Sequence, residues 1–246
     1  MRLRLFKCFN LLYSHCYPLY APLYKGYKVW SDRYERTLFR KGIQPGMVVV
    51  DIGANIGIYT IFFARLVGIH GKVLAFEPDP KNFKFLKKNV AQLSQVIACH
   101  AAVGSSSGSI ALYLSPELNV DHQIFDAGDA RKSIEVPLFS LDDYFQSGRR
   151  IDWIKLDVQG AELMVLQGAQ RTIRENPQLK IVMEFSPYSL DRANTSPIYL
   201  LEFIRSLGLE IYVLENPEKI FIYEISVDYQ LEEMDYCNLM LRRPKA

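Results

Sequence analysis

A chain of 246 residues with 49% hydrophobic side chains can bury one substantial core, so a single α/β domain is the expected organisation. A formal net charge of +2 argues against the concentrated basic surface of a nucleic-acid binder, and no stretch approaches the ~20 apolar residues of a membrane span. Four cysteines (Cys8, Cys16, Cys99, Cys237) lie scattered without a close pair, which points to reduced, inert thiols in a cytoplasmic setting rather than to disulfides or a metal site.

The charge is unevenly placed. Residues 1–46 carry nine Lys/Arg against Asp32 and Glu35, while the remaining 200 residues are net acidic. Residues 1–30 hold no acidic side chain and place tyrosines at 13, 17, 20, 24 and 27. That spacing suggests one helical face, yet Pro18 and Pro22 argue against a continuous helix. A helix over roughly 3–16, with Phe6, Phe9, Tyr13 and Cys16 along one side, is the expectation. The segment reads either as a lid packed on the core or as a peripheral attachment to an anionic membrane through Arg2, Arg4, Lys7 and the aromatics. A secretory leader is not expected, because Lys7 and Asn10 interrupt the apolar region and no small-residue cleavage site follows.

A second helix near residues 32–41 leads to the turn Gln44-Pro45-Gly46. From Met47 onward strands and helices alternate, which predicts a parallel sheet with right-handed crossovers. A strand over 47–51 ends at Asp51 and feeds a helix over 56–67 that is apolar nearly all round. A strand over 72–76 ends at Glu77, and Asp79 then caps a helix with Pro80 in its first turn. Phe83, Leu86 and Val90 line one face of that helix, opposite Lys81, Lys84 and Lys88. A strand near 95–100 follows, then strands over 109–114 and 134–139 around a long polar loop. Ser140 and Asp143 form a capping box for a short helix. Strand 151–156, helix 161–175, strand 180–185 and helix 197–207 complete the alternation, with Ser196-Pro197 and Gly208 marking the last helix. The tail reads as a strand over 210–214, a hairpin-like 219–225 and a strand over 237–242.

The most informative stretch is Val48-Val49-Val50-Asp51-Ile52-Gly53-Ala54-Asn55-Ile56-Gly57. It is a strand, a tight loop and a helix N-terminus in that order. The spacing differs from the Gly-x-Gly-x-x-Gly of dinucleotide folds, since Asn55 and Ile58 stand where glycines are required. With Asp51 and Glu77 nearby, the ligand should be a nucleoside with positive charge and free ribose hydroxyls. S-adenosyl-L-methionine fits that description.

Three segments carry a resemblance: Val-Val-Asp-Ile-Gly-Ala-Asn-Ile-Gly-Ile-Tyr-Thr (49–60), Ala-Phe-Glu-Pro-Asp-Pro (75–80) and Ile-Lys-Leu-Asp-Val-Gln-Gly-Ala-Glu (154–162). Over about residues 31–243 the chain resembles the FkbM family of S-adenosylmethionine-dependent methyltransferases. The resemblance implies a Rossmann-like class I methyltransferase fold, with a mostly parallel seven-stranded sheet, helices on both faces and a closing antiparallel strand. It makes residues 31–246 one domain with an insertion at about 105–150, and Gln159 departs from the Glu that the family usually places there.

Ligands of such a sheet sit beyond the carboxyl ends of its strands. Asp51, Gly53, Ala54, Asn55, Gly57, Glu77, Pro78 and Ala102 are therefore the expected cofactor residues. Glu77 is assigned to the ribose hydroxyls. Asp51 should hold the loop amides or the cofactor's amino end, and Asn55 either makes a local Asx turn or binds the methionine carboxylate. Asp157 is the first candidate for a general base, with His122 second, on the strength of an imidazole's ordinary pKa. Lys155, in an apolar run, should pair with Asp157 or Glu184. Glu162 reads equally as a first-turn carboxylate or an active-site group. The expected activity is O-methylation of a hydroxyl on a sugar, a glycan or another small polar acceptor. The alternative is a non-catalytic nucleoside-binding module in an assembly. No nucleic-acid partner and no metal are expected, and the oligomeric state is open.

Overall fold

The computed structural model describes residues 12–13, 15–115, 121–126, 128, 130–214, 222–224 (backbone) and 236–244. Its main sheet is built from β1 (Val48–Ile52), β2 (Lys72–Phe76), β3 (Val96–Cys99), β7 (Trp153–Leu156), β8 (Lys180–Phe185), β9 (Glu210–Leu214), β10 (Ile222–Glu224) and β11 (Cys237–Arg242). The strand order is β10-β9-β11-β8-β7-β1-β2-β3. The β3, β2, β1, β7 and β8 neighbours pair in parallel. β11 runs antiparallel between β8 and β9, and β10 adds a short antiparallel edge on β9. This is the Rossmann-like seven-stranded arrangement with its closing antiparallel strand, extended by β10. The fully buried centre of β1 explains its run of β-branched residues, since both faces of a central parallel strand are covered.

Helices α3 (Ile58–Val67) and α4 (Pro80–Val90) follow β1 and β2, while α5 (Leu141–Tyr144), α6 (Glu162–Gln167), α7 (Gln170–Glu175), α8 (Pro187–Arg192) and α9 (Pro197–Ser206) accompany the later strands. One face of the sheet buries Ile52, Phe76, Leu156 and Phe185 against Leu166, Leu200 and Ile204. The opposite face buries Val49, Val73 and Trp153 against Phe39, Phe62 and Phe63. The helix expected over 161–175 is two helices, broken at Gly168. A Cβ there would lie 2.0 Å from the Gly104 carbonyl oxygen, so close backbone approach interrupts the helix. The insertion forms its own small sheet from β4 (Ala102–Val103), β5 (Gly108–Leu114) and β6 (Lys132–Phe139), ordered β4-β6-β5.

The N-terminal region departs from its sequence reading. Helix α1 (Tyr17–Ser31) is continuous through Pro22, and α2 (Arg33–Gly42) follows directly. Pro18 sits in the first turn, where its missing N–H is no loss, and only Pro22 removes an internal bond. Packing outweighs that penalty. Tyr20 and Tyr24 are buried with rings stacked 5.1 Å apart, and Tyr17 stacks on Phe85 of α4 at 3.5 Å. Most of the helix expected over 3–16, and part of the 219–225 hairpin, lie outside the described residues. Cys16 and Cys99 are free thiols. Among the described residues no helix is long and apolar enough to cross a membrane.

Candidate active site

After β1 the chain turns to one side of the sheet, and after the insertion it returns to the other side through β7. The carboxyl ends of β1 and β7 therefore part, and a crevice opens between them. There the structure has a cavity of about 560 Å³, within the size range of small-ligand sites. Its described walls carry the carboxylates of Asp32, Asp51, Glu77, Asp121, Asp157 and Glu184 against the cations Lys28, Lys155 and Arg192. Such a surface favours a cationic ligand over a phosphate.

The loop after β1 reinforces that preference. Gly53 and Ala54 both donate their N–H groups to the Phe76 carbonyl, at 3.0 and 2.9 Å. Asn55 N–H goes to Glu77 Oε2 at 2.7 Å, Ile56 N–H to Asn55 Oδ1 at 2.8 Å and Gly57 N–H to the Ala54 carbonyl at 2.9 Å. All five amides are used within the protein, so the loop makes no nest of N–H groups for a phosphate. Gly53, at φ 79°, has a second reason to lack a side chain: a Cβ would lie 1.9 Å from the Asp157 carbonyl oxygen. Gly57, at φ 88°, does not line the cavity, and a Cβ on it would press Leu86 at 2.7 Å. Its expected cofactor role gives way to backbone geometry and packing.

Glu77 is nearly inaccessible and clamped, with Oε2 on Asn55 N–H and Oε1 on Asp79 N–H at 3.0 Å. The Asn82 side chain adds a further hydrogen bond to the same carboxylate, which is thereby held in one orientation at the cavity wall. Burial pushes its pKa up to about 8 against the opposing pull of the two amides. Asp51 is fully buried and does not hold loop amides. Its Oδ2 accepts the Thr60 hydroxyl at 2.6 Å, and its Oδ1 has no hydrogen-bond partner. An orphaned anionic oxygen at a cavity wall calls for a donor from the ligand. Pro78, Ala101, Ala102 and Val103 complete this end of the cavity, whereas His100 turns away to stack on Phe83.

The other end is held by side chains. Asp51 and Lys155 are register partners across β1 and β7, which puts the buried Lys155 ammonium into the crevice. Lys155 Nζ bonds Asp157 Oδ2 at 2.9 Å, and Gln159 Nε2 bonds Asp157 Oδ1 at 3.0 Å and Glu184 Oε1 at 3.3 Å. Burial raises the Asp157 pKa, but Lys155 and Lys28 overcome it and hold the carboxyl down at about 2. Glu184 moves the opposite way. Burial and the neighbouring Asp157 and Glu162 charges push it up to about 8.

The two carboxyls are thus driven apart. Asp157, doubly bonded, is held strongly acidic, whereas Glu184, which the sequence offered only as a partner for Lys155, is held high in the same cavity. His122 lines the cavity, but its Nδ1 accepts the Ser115 N–H at 3.0 Å, so in the neutral ring the proton resides on Nε2. Burial also holds its pKa below the ordinary value. Glu162 does not reach the cavity. Its Oε1 accepts Gly160 N–H at 3.2 Å, the contact of a first-turn structural carboxylate.

Sequence reasoning missed the contribution of α1. Tyr24, Tyr27, Lys28 and Ser31, followed by Asp32, line the cavity, and Lys28 Nζ lies 2.6 Å from Asp32 Oδ2. The i,i+4 spacing of Lys28 and Asp32 was a visible signal, obscured by the assumption that the prolines break the helix. Glu35, on α2, accepts the Tyr59 hydroxyl at 2.5 Å and adds a further buried carboxylate beneath Lys155.

A parallel sheet with a glycine hinge after its first strand, an acidic diol clamp after its second and a carboxylate-lined crevice defines a Rossmann-like methyltransferase. Residues 51–211 match the model of the methyltransferase FkbM domain, and the chain belongs to that family. It is 28% identical to methyltransferase sdnD of Sordaria araneosa, over 61% of this chain and 77% of that one. It is 29% identical to methyltransferase 1 of Beauveria bassiana, over 49% of this chain and 57% of that one. Among solved structures it overlays a SAM-dependent methyltransferase from Aquifex aeolicus with a TM-score of 0.49 and 13% identity, covering 85% of this chain and 87% of that one. Aeropyrum pernix fibrillarin overlays with a TM-score of 0.46 and 14% identity, covering 85% and 74%. Overlays of this size carry no weight on chemistry. S-adenosylmethionine is the cofactor that family membership implies, and the residues present fit it: Glu77 for the ribose diol, Asp51 Oδ1 for the ammonium, and acidic walls for the sulfonium.

Proposed function

We propose that the chain is an O-methyltransferase acting on a hydroxyl of a small polar acceptor, of the size and character of a sugar. When bound, S-adenosylmethionine supplies an electrophilic methyl group on a sulfonium. The protein's part is then alignment, exclusion of water and removal of the acceptor's proton. Glu184 would take the acceptor's hydroxyl proton as its oxygen is methylated. Asp157 is a fixed anion in the wall, and Lys155 and Gln159 hold its two oxygens in place.

The observation that supports this reading is Glu184, a carboxyl held near pKa 8 in the same cavity as the cofactor residues. A hydroxyl nucleophile benefits from such a base, whereas an amine or thiolate has less need of one. Tyr27, Tyr188 and Tyr236 at the cavity wall offer flat apolar faces beside polar groups, as a sugar ring requires.

Glu184→Gln is expected to lower turnover by about 10²–10⁴-fold while calorimetry shows donor affinity unchanged. In the parent enzyme kcat/KM should rise with pH toward a limb near 8, and the variant should lose that limb. Undiminished turnover in Glu184→Gln overturns the base assignment. Incubating labelled donor with cell extract tests the acceptor class, and label found only in protein or RNA excludes a small acceptor.

A further inference from the structure

We propose that the outer face of α1 docks on an anionic lipid surface. On a helical projection Leu19, Pro22, Leu23, Gly26, Val29 and Trp30 fall within one arc of ~120°, and no charged or hydrogen-bonding side chain interrupts it. All six are exposed, with Leu19 at 57%, Leu23 at 53%, Val29 at 42% and Trp30 at 66%. The opposite face of the same helix carries the buried Tyr20 and Tyr24 and the cavity-lining Tyr27 and Lys28. A solvent-facing helix normally shows the reverse pattern. Here both sides are apolar or aromatic, and among the described residues only one is covered.

Charge identifies the occupant. The two acidic residues of the first 46 are both turned inward: Asp32 pairs with Lys28, and Glu35 is buried against Tyr59. The exposed charges among the described residues of that segment are basic, namely Lys25 on α1 and Arg33, Arg40 and Lys41 on α2. The Arg33 guanidinium lies 5.6 Å from the Trp30 ring, and its Nη1 donates to the Trp30 carbonyl at 3.1 Å. Trp and Leu over an apolar arc with cations at its border match the boundary between acyl chains and anionic headgroups. A second copy of the chain would present the same cations to itself, which this charge pattern disfavours.

Docking in this way would set the helix that walls the cavity against the lipid surface, with its tyrosines still facing the site. The contact does not depend on the acceptor's identity or on Glu184, so the two readings fail separately.

The test is flotation of the full chain with vesicles of phosphatidylcholine alone or with about one-third phosphatidylserine. Binding is expected to the anionic vesicles, to weaken as salt is raised, and to be negligible with the neutral ones. The chain has two tryptophans, and Trp153 is buried, so a blue shift of emission on binding reports Trp30. Trp30→Phe should bind but lose the shift. Leu19→Glu with Leu23→Glu should cut binding by ~10-fold or more, with donor affinity and circular dichroism unchanged. Absence of binding to anionic vesicles overturns the proposal. A dimer in light scattering that dissociates in the double variant also overturns it, and makes the face an interface between copies.

Discussion

At the β1–β2 end of the cavity, loop amides and a carboxylate are locked to one another through the backbone. Glu77 is gripped by the N–H groups of Asn55 and Asp79, and Gly53 and Ala54 are tied to the Phe76 carbonyl. At the β7–β8 end, Lys155, Asp157, Gln159 and Glu184 meet only through side chains, and Lys28 joins them from α1. The first end is a scaffold held by backbone amides. The second is a balance, in which each group sets the protonation of the others. That contrast matches the two tasks, since a cofactor diol needs a fixed grip, whereas proton removal needs a tuned pKa.

The contrast is tested most severely at Asp157. Asp157→Ala would leave the buried Lys155 ammonium without its closest partner, and breaking such a pair costs about 3–5 kcal/mol. At roughly 2–4 °C per kcal/mol for a chain of this size, thermal unfolding should move down by about 10 °C. Adding Lys155→Met should restore most of the loss. An unchanged midpoint in the single variant would mean that the β7–β8 cluster is no latch. At the other end, Glu77→Gln keeps most of the shape but loses the charge and one acceptor, so stability should change little. Donor affinity measured by calorimetry should fall about 10–100-fold, the worth of a charged hydrogen bond. Equal losses of stability in both variants would erase the distinction between the two ends.

The same contrast explains what could be read from the sequence. The scaffold end is contiguous: Asp51 to Gly57 and Glu77 to Asp79 each lie at the end of one strongly apolar strand, so pattern alone located them. Strand alternation likewise revealed the sheet, because central parallel strands read as unbroken apolar runs. The balanced end converges from residues 28 to 184, and no local pattern records how far apart the pKa values of Asp157 and Glu184 are driven. Those depend on Lys155 being buried opposite Asp51, which is a matter of register. Helix α1 was misjudged for a related reason. Local propensity counted Pro22 against it, while the stacking of Tyr17 on Phe85 and of Tyr20 on Tyr24, which holds the helix in place, is tertiary.

A pH effect is spread across both ends. Burial lifts Glu77 and Glu184 to about 8 and Glu162 to about 7, all above the 4.5 of an unstrained glutamate. Between pH 4.5 and 8 the folded chain thus retains protons that the unfolded chain has released. Stability is then greatest below pH 4.5 for these groups, falls as pH rises through the window and levels off above 8. Asp157 acts in the opposite sense, but only below the 3.8 of a free aspartate, outside that window. The melting temperature should therefore drop between pH 5 and 8, and Glu77→Gln and Glu184→Gln should each flatten part of the slope. Saturating S-adenosylmethionine brings positive charge to both ends, which favours the ionised carboxylates and should flatten the slope further, more than the uncharged thioether S-adenosylhomocysteine does. A slope that persists unchanged in Glu184→Gln but vanishes in Glu77→Gln would place the titration in the scaffold alone, and the kinetic limb near pH 8 would then need another origin.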